Sequence, residues 1–249
     1  MPVEQDLKSM KRFVIGDIHG GHKALVQCLE RSKFDLAKDF LISLGDICDG
    51  WPEVDKVIDE LLRVQNLKVV LGNHDAWTLQ WIQDGWEEDI WTSQGGLATM
   101  QSYQLDRRHV PESHVHLLQN AVLFIELDNK LFVHGGINPS LGMAKQDPEL
   151  LMWDRDLLND AIRISKITSE HRYGKWDDIF VGHTTTEVYQ TLKPIHACNV
   201  WAVDTGCGWS GKLTIMDIDS HEYWQSDLVP GLYPHIQGRR AAKARDAYF

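Results

Sequence analysis

The chain has only four cysteines in 249 residues, and Cys28, Cys48, Cys198 and Cys207 form no Cys-x-x-Cys pair. That spacing argues against a disulfide framework and leaves the thiols as small, reduced hydrophobes. No run of 18 apolar residues occurs, and the opening MPVEQDLKSM lacks the apolar stretch of a signal peptide, so no membrane partner is expected and a cytoplasmic address is. Basic residues are outnumbered, 25 Lys and Arg against 36 Asp and Glu, for a formal charge of −11. A broad nucleic-acid surface needs dense Lys and Arg, so no nucleic-acid partner is expected. The one clearly basic run, GRRAAKAR, reads as part of a solvated tail over about 235–249. Internal repeats, long linkers and low-complexity stretches are also missing. What remains is a chain with 43% hydrophobic residues, of a length that a single α/β domain over 1–249 can occupy.

Its first half repeats one rhythm: an apolar run, a glycine turn carrying acidic or imidazole groups, then a stretch of helical spacing. Phe13 to Ile15 leads into Gly16-Asp17-Ile18-His19-Gly20, after which Ala24, Leu25, Cys28 and Leu29 recur on one helix face. Phe40 to Leu44 leads into Gly45 to Gly50, with Pro52 suited to the first turn of a helix whose face carries Val54, Val57, Ile58, Leu61 and Leu62. Leu67 to Leu71 delivers Gly72-Asn73-His74-Asp75. The segment from about 84 to 120 loses the strand rhythm and reads as a mostly helical insertion over the site. Beyond it, Ala121 to Leu127 and Lys130 to Val133 read as a hairpin turning at Asp128-Asn129 and arriving at His134-Gly135-Gly136. Ile179 to Val181 arrives at Gly182-His183, and Val200 to Val203 with Leu213 to Ile218 suggests a further hairpin.

Parallel strands of one sheet place their carboxyl ends along a common edge, so these turns can converge. Asp17 and His19 lie two apart beyond a strand, where extended backbone sends both side chains the same way, toward one shared metal. Asp46 offers two carboxylate oxygens and is the natural bridge to a second ion. Asn73, His134 and His183 complete that second site. This oxygen and nitrogen set, without thiolate, suits two borderline divalent ions such as manganese, iron, zinc, cobalt or nickel rather than a sulfur-rich structural zinc. Taken singly, each short motif has a structural reading as a helix cap, a turn or a hydrogen-bonded buried histidine. Five of them in one order, each at a strand end, point to a metal centre.

At these residues the chain resembles the calcineurin-like metallophosphoesterases, from Phe13 to about Trp224. Within them it is similar to the phosphoprotein phosphatase branch and to symmetrical diadenosine tetraphosphate hydrolases. The resemblance implies a two-sheet β-sandwich flanked by helices, an α/β/β/α arrangement with a helical insertion near the active site. It also implies hydrolysis of phosphomonoesters by a hydroxide activated between two metals. The family's ligands carry over onto Asp17, His19, the bridging Asp46, Asn73, His134 and His183. Its catalytic acid falls on His74, and that histidine's carboxylate partner on Asp49. Two departures stand out. Gly50 occupies the place of an arginine that grips phosphate in Gly45-Asp46-Ile47-Cys48-Asp49-Gly50-Trp51, while the family's other phosphate-binding arginine matches Arg155 of Met152-Trp153-Asp154-Arg155-Asp156. Asp75 stands where protein phosphatases commonly have Glu and reads as support for its loop. Gly182-His183-Thr184-Thr185 lacks the second histidine of the phosphodiesterase and nuclease branches. The segment from Asp204 to Thr214 resembles the tetraphosphate hydrolases most.

A Ser/Thr or broad-specificity protein phosphatase is therefore the leading expectation, with a phosphorylated protein or small phosphoester as partner. A dinucleoside tetraphosphate hydrolase is the alternative, and a phosphoprotein-binding module without turnover the third. Of the tryptophans near the motif loops, Trp77 and Trp81 have the i, i+4 spacing of a buried helix face, and Trp51 is the better candidate for a pocket wall. His109, His114 and His116 read as surface or structural, and Cys48 as a packed, inert thiol.

Overall fold

The computed structural model describes residues 10–168 and 170–236, so the basic run at 238–245 lies outside the described residues. Strand β1 (Arg12–Ile15) is followed by α1 (His22–Ser32), β2 (Phe40–Ser43), α2 (Val54–Leu62), β3 (Asn66–Val69) and α3 (Asn73–Asp84). Short helices α4 (Asp89–Trp91), α5 (Leu97–Ser102) and α6 (Glu112–Gln119) occupy the segment expected to be helical. Then come β4 (Phe124–Leu127), β5 (Lys130–Val133), α7 (Pro148–Trp153), α8 (Asp156–Ser165), β6 (Asp178–Val181), β7 (Ile195–Ala197), β8 (Val200–Ala202), β9 (Thr214–Asp217), β10 (Tyr223–Gln225) and α9 (Val229–Leu232).

The strands form two five-stranded sheets, ordered β10-β9-β1-β2-β3 and β4-β5-β6-β8-β7. In the first, β1, β2 and β3 run parallel; in the second, β5, β6 and β8 do. Period-two alternation assigns each side chain to a layer. Val14, Ile42, Phe132, Phe180 and Met216 point between the sheets into one buried cluster. Their neighbours Phe13, Ile15, Leu41 and Ile215 point outward onto α1, α2 and α3, and Leu131, Val133, Ile179 and Val181 onto α7 and α8. Helix, sheet, sheet and helix thus stack as the α/β/β/α sandwich.

Ala24, Leu25, Cys28 and Leu29 are buried as their spacing predicts, and so are Val54, Val57, Ile58 and Leu61, while Leu62 is exposed. Pro52 sits in the turn ahead of α2 rather than inside it. The β4–β5 turn has positive φ at both Asp128 and Asn129, the left-handed pair that matches the twist of a tight hairpin. The other expected hairpin does not form. β8 pairs with β6 and β7 in the second sheet, whereas β9 pairs with β1 and β10 in the first. The glycine turn between them closes locally, with Gly211 N donating to Gly206 O at 2.9 Å. Its flanking strands then fill open edges of different sheets, a choice set by distant partners rather than by the turn.

Phe132 and Phe180 stack across this interface with ring centroids 4.9 Å apart, both fully buried. Phe180→Ala opens a void there and is expected to cost about 3–5 kcal/mol, read as a lower denaturation midpoint in urea. An unchanged midpoint would show that the inter-sheet layer repacks freely.

Candidate metal centre

Every parallel strand of both sheets ends at one crevice. Asp17 and His19 follow β1, Asp46 and Asp49 follow β2, and Asn73 and His74 open α3 directly after β3. From the other sheet, His134 follows β5, His183 follows β6 and Asp204 follows β8. The expected edge of one sheet is therefore the joined edges of two.

Backbone hydrogen bonds lock these loops together. Ile18 N and His19 N both donate to Asp46 O, at 3.0 and 2.9 Å, and His183 N donates to Asp17 Oδ2 at 3.0 Å across the sheets. His19, Asp46, Asp49 and His183 all adopt positive φ, a conformation that costs a non-glycine residue free energy and persists only where surrounding contacts over-determine it. Two glycines leave room for carboxylate oxygens: a Cβ at Gly72 would lie 2.2 Å from Asp46 Oδ1, and one at Gly182 would lie 2.3 Å from Asp17 Oδ1.

The six side chains expected as ligands are brought together and buried. Asp17, His19 and Asp46 form one group, and Asp46, His134 and His183 a second, the ligand atoms within each lying no more than 4.8 Å apart. Asp46 belongs to both. Its Oδ2 faces His19 Nε2 at 3.5 Å and its Oδ1 faces His134 Nε2 at 3.3 Å. Two ligands each about 2 Å from a shared ion would be separated by such distances. His134 Nδ1 donates to Leu44 O at 2.7 Å and His19 Nδ1 to Cys48 O at 3.0 Å, since a carbonyl can only accept; that fixes each tautomer with Nε2 turned to the crevice. Asn73 Oδ1 lies 3.1 Å from His134 Nε2 and adds its amide oxygen to the second group.

The residues fit metal ions on a separate count. His183 Nε2 is buried and has no hydrogen-bond partner, an orphan of the sort a ligated cation satisfies. Electrostatics agree. Burial disfavours charge on His134, yet Asp46 and Asp17 outweigh it and raise the imidazole to about 10. A crevice whose carboxylates hold positive charge this firmly attracts cations. Burial also opposes charge on Asp46, but the imidazoles of His134, His74 and His19 keep its carboxyl well below the usual range. Asp17 is pushed up, first by burial and then by the nearby carboxylate of Asp204, itself raised by burial to about 6.

His74 stands beside this cradle. Its Nδ1 donates to Asp49 Oδ2 at 2.6 Å, and its ring meets that of His19 edge-on at 4.9 Å. Asp49 is held by residues that sequence reasoning did not single out: Trp91 Nε1 donates to Oδ2 at 2.8 Å and Thr99 Oγ1 to Oδ1 at 2.6 Å. Both come from the helical segment between α3 and β4, which also packs Trp91, Met100, Tyr103 and Leu118 into the first sheet's core. Arg155 Nη1 donates to His183 O and Thr184 Oγ1, each at 3.3 Å, and no ion pair to a carboxylate is seen for it among the described residues. Gly50, at φ +88°, gives its N–H to Gly95 O, and Lys212 lines a surface pocket with Asp227 and Leu228.

Other expectations resolve differently. Trp51 is buried, not a pocket wall: its Nε1 donates to Cys207 O at 2.7 Å and its ring stacks on Tyr233. Trp81 is buried as expected, but Trp77 is only half-buried and lies edge-on to His74 at 5.0 Å. His114 is structural, between Tyr103 Oη and Asp59 Oδ1. Burial drives the Cys48 thiol well above its ordinary value, consistent with an inert group.

A paired cradle of this kind at the carboxyl ends of two sheets is suited to metal ions and, with the family membership, makes the chain a metal-dependent phosphoric ester hydrolase. The chain belongs to the calcineurin-like phosphoesterases, whose family model matches residues 10–217. It is similar to a symmetrical bis(5'-nucleosyl)-tetraphosphatase of Delftia acidovorans, 26% identical over 85% of this chain and 94% of the relative. It is also similar to serine/threonine-protein phosphatase 2 of Salmonella typhimurium, 28% identical over 83% and 92%. A protein serine/threonine phosphatase structure from Saccharomyces cerevisiae shares the fold with a TM-score of 0.55, at 16% identity over 92% of this chain and 83% of that one. Among the described residues, no helix is long and apolar enough to cross a membrane.

Asp75 accepts from Ile47 N at 2.9 Å, Cys48 N at 3.1 Å and Gly72 N at 3.3 Å, tying the loop of Asp46 to that of Asn73. Asp75→Ala strands buried N–H groups worth about 1–3 kcal/mol each. The variant is expected to unfold at lower urea concentration than the parent both with and without added metal, and equal midpoints would remove Asp75 from loop support.

Proposed function

We propose that the chain hydrolyses phosphomonoesters, with phosphoserine and phosphothreonine proteins as the leading substrate class, at a dinuclear centre held by Asp17, His19, Asp46, Asn73, His134 and His183. The observation that supports this most is the division of the Asp46 carboxylate, one oxygen toward each imidazole Nε2. Two divalent ions, manganese first and iron, zinc, cobalt or nickel as alternatives, supply when bound an activated water and neutralise phosphoryl charge. The protein's own groups do the rest. His74, with Nδ1 committed to Asp49, presents Nε2 to the departing oxygen and gives it a proton, while Asp49 stabilises the imidazolium and keeps the ring oriented. Trp91 and Thr99 hold Asp49 in turn. Arg155, exposed beside His183 and without a carboxylate partner among the described residues, offers its planar fork to non-bridging phosphate oxygens.

The likeness to the Salmonella phosphatase favours the phosphoprotein reading. The Delftia relative favours a second one, in which the same centre cuts dinucleoside tetraphosphates. Phosphate release from phosphopeptides, set against ADP formation from diadenosine tetraphosphate with manganese present, separates them; phosphopeptide turnover is the expected winner, and inactivity on both rejects both. His74→Asn is expected to lower kcat about 10²- to 10⁴-fold while elemental analysis finds metal content unchanged. Full activity in that variant would reject His74 as the acid.

A further inference from the structure

Two indole rings, Trp77 and Trp153, meet residues of the crevice, with Trp86 behind them, and the proposed hydrolysis does not require them. Trp77 lies edge-on to His74 with centroids 5.0 Å apart. Trp153, at the end of α7, lies edge-on to Trp77 at 5.0 Å and to His183 at 5.7 Å. Trp86 stacks against Trp77 at 6.3 Å. The wall therefore runs from the proposed proton donor to a proposed ligand of the second metal. Trp153 also precedes Arg155 by two residues. Core packing accounts for only part of this: Trp77 and Trp86 rest against the first sheet's core, whereas Trp153 joins no core cluster among the described residues. Trp81 and Trp91, which do pack the core, are almost wholly buried, whereas Trp153 is 40% exposed and Trp77 half-buried. An exposed indole held against a catalytic pocket by other aromatic rings is costly to leave to water unless something flat covers it.

We infer that Trp77 and Trp153 form a specificity-determining subsite for an aromatic ring attached directly to the ester oxygen, so that aryl phosphates, phosphotyrosyl residues among them, are also taken and turn over faster than their intrinsic reactivity accounts for. This rests on the phosphomonoesterase reading above and extends it to a substrate class. The argument is one of reach. His74 must touch the departing oxygen to protonate it, and Trp77 touches His74, so a ring bonded to that oxygen arrives within the distance at which aromatic pairs attract. A nucleobase is separated from phosphorus by its ribose and stands several bonds farther out. Serine and threonine esters bring no ring at all. The edge-on setting of Trp153 against Trp77 provides two differently inclined faces, which suits a ring entering between them.

The test compares kcat/KM for phosphotyrosyl and phosphoseryl versions of one peptide, measured on the manganese-loaded parent, Trp77→Leu, Trp153→Leu and Trp153→Tyr. Because each substrate is compared with itself across variants, the better leaving group of the aryl ester cancels. The tyrosyl-to-seryl ratio is expected to fall about three- to tenfold in each leucine variant, the scale of a lost aromatic pair, and to recover in Trp153→Tyr. Equal losses on both peptides, or an unchanged ratio, would mark the indoles as packing alone and overturn the proposal while leaving the hydrolase reading intact. A parent inactive on both peptides would overturn the hydrolase reading and this one with it. Leucine variants that lose ADP formation from diadenosine tetraphosphate more than tyrosyl turnover would assign the wall to a nucleobase and overturn the aryl-ester proposal.

Discussion

A single carboxylate holds the two halves of this molecule to a common purpose. Asp46 leaves β2 with a left-handed backbone, accepts two amide hydrogen bonds from the loop after β1 through its carbonyl, and divides its side-chain oxygens between His19 of one sheet and His134 of the other. Burying an anion is expensive unless it is paired, and here burial is offset by the imidazoles of His134, His74 and His19. The neighbouring loops are built to this requirement. Gly72 yields the space its oxygen occupies, Asp75 ties down the amides that follow it, and His74 donates its own backbone N–H to Asp46 Oδ1 at 2.9 Å. Displacing Asp46 would leave several groups without a partner at once.

The layered packing explains how such a cluster is held. Each strand sends alternate residues to opposite layers, so the inter-sheet surface of Val14, Ile42, Phe132, Phe180 and Met216 sets the separation of the two rows of strand ends. The loops that carry the six candidate ligands inherit that separation. The helical segment between α3 and β4 adds a second tier: it belongs to the first sheet's core through Trp91 and Tyr103, and the same Trp91 reaches Asp49. Core packing and the orientation of His74 are thus coupled through one indole.

Much of this was legible in the sequence because it is written locally. Apolar runs ending in Gly-Asp, Gly-Asn-His and Gly-His place ligand-type side chains at strand ends, and those positions follow from where each apolar run meets its glycine turn. Non-local choices were not legible. Nothing in Val200 to Ile218 says that β8 and β9 part company, because the edges they fill belong to strands far away in the chain. The i, i+4 pair Trp77 and Trp81 was read as one buried face, and about 40° of helical rotation does separate them; both meet the core, but Trp77 also meets His74 and Trp153 and stays half-buried, which the spacing does not reveal. Trp51 misled for the opposite reason, since adjacency to an active-site loop does not reveal that Tyr233 waits to stack on it. The Trp91 and Thr99 contacts to Asp49 span 42 and 50 residues and leave no periodic signature.

The strand order carries a consequence for how the molecule is made. β1 sits in the middle of its sheet, but the neighbour on one flank, β9, is some two hundred residues downstream. A chain emerging from the ribosome can pair β1 with β2 and β3 early and must then carry a bare, apolar edge until residues 214–217 appear. Long-range closure of that sort slows folding and leaves the nascent protein open to pairing with other chains. Truncated translation products would therefore be prone to aggregate, and chaperone engagement would fall chiefly on the interval before the last strands are synthesised.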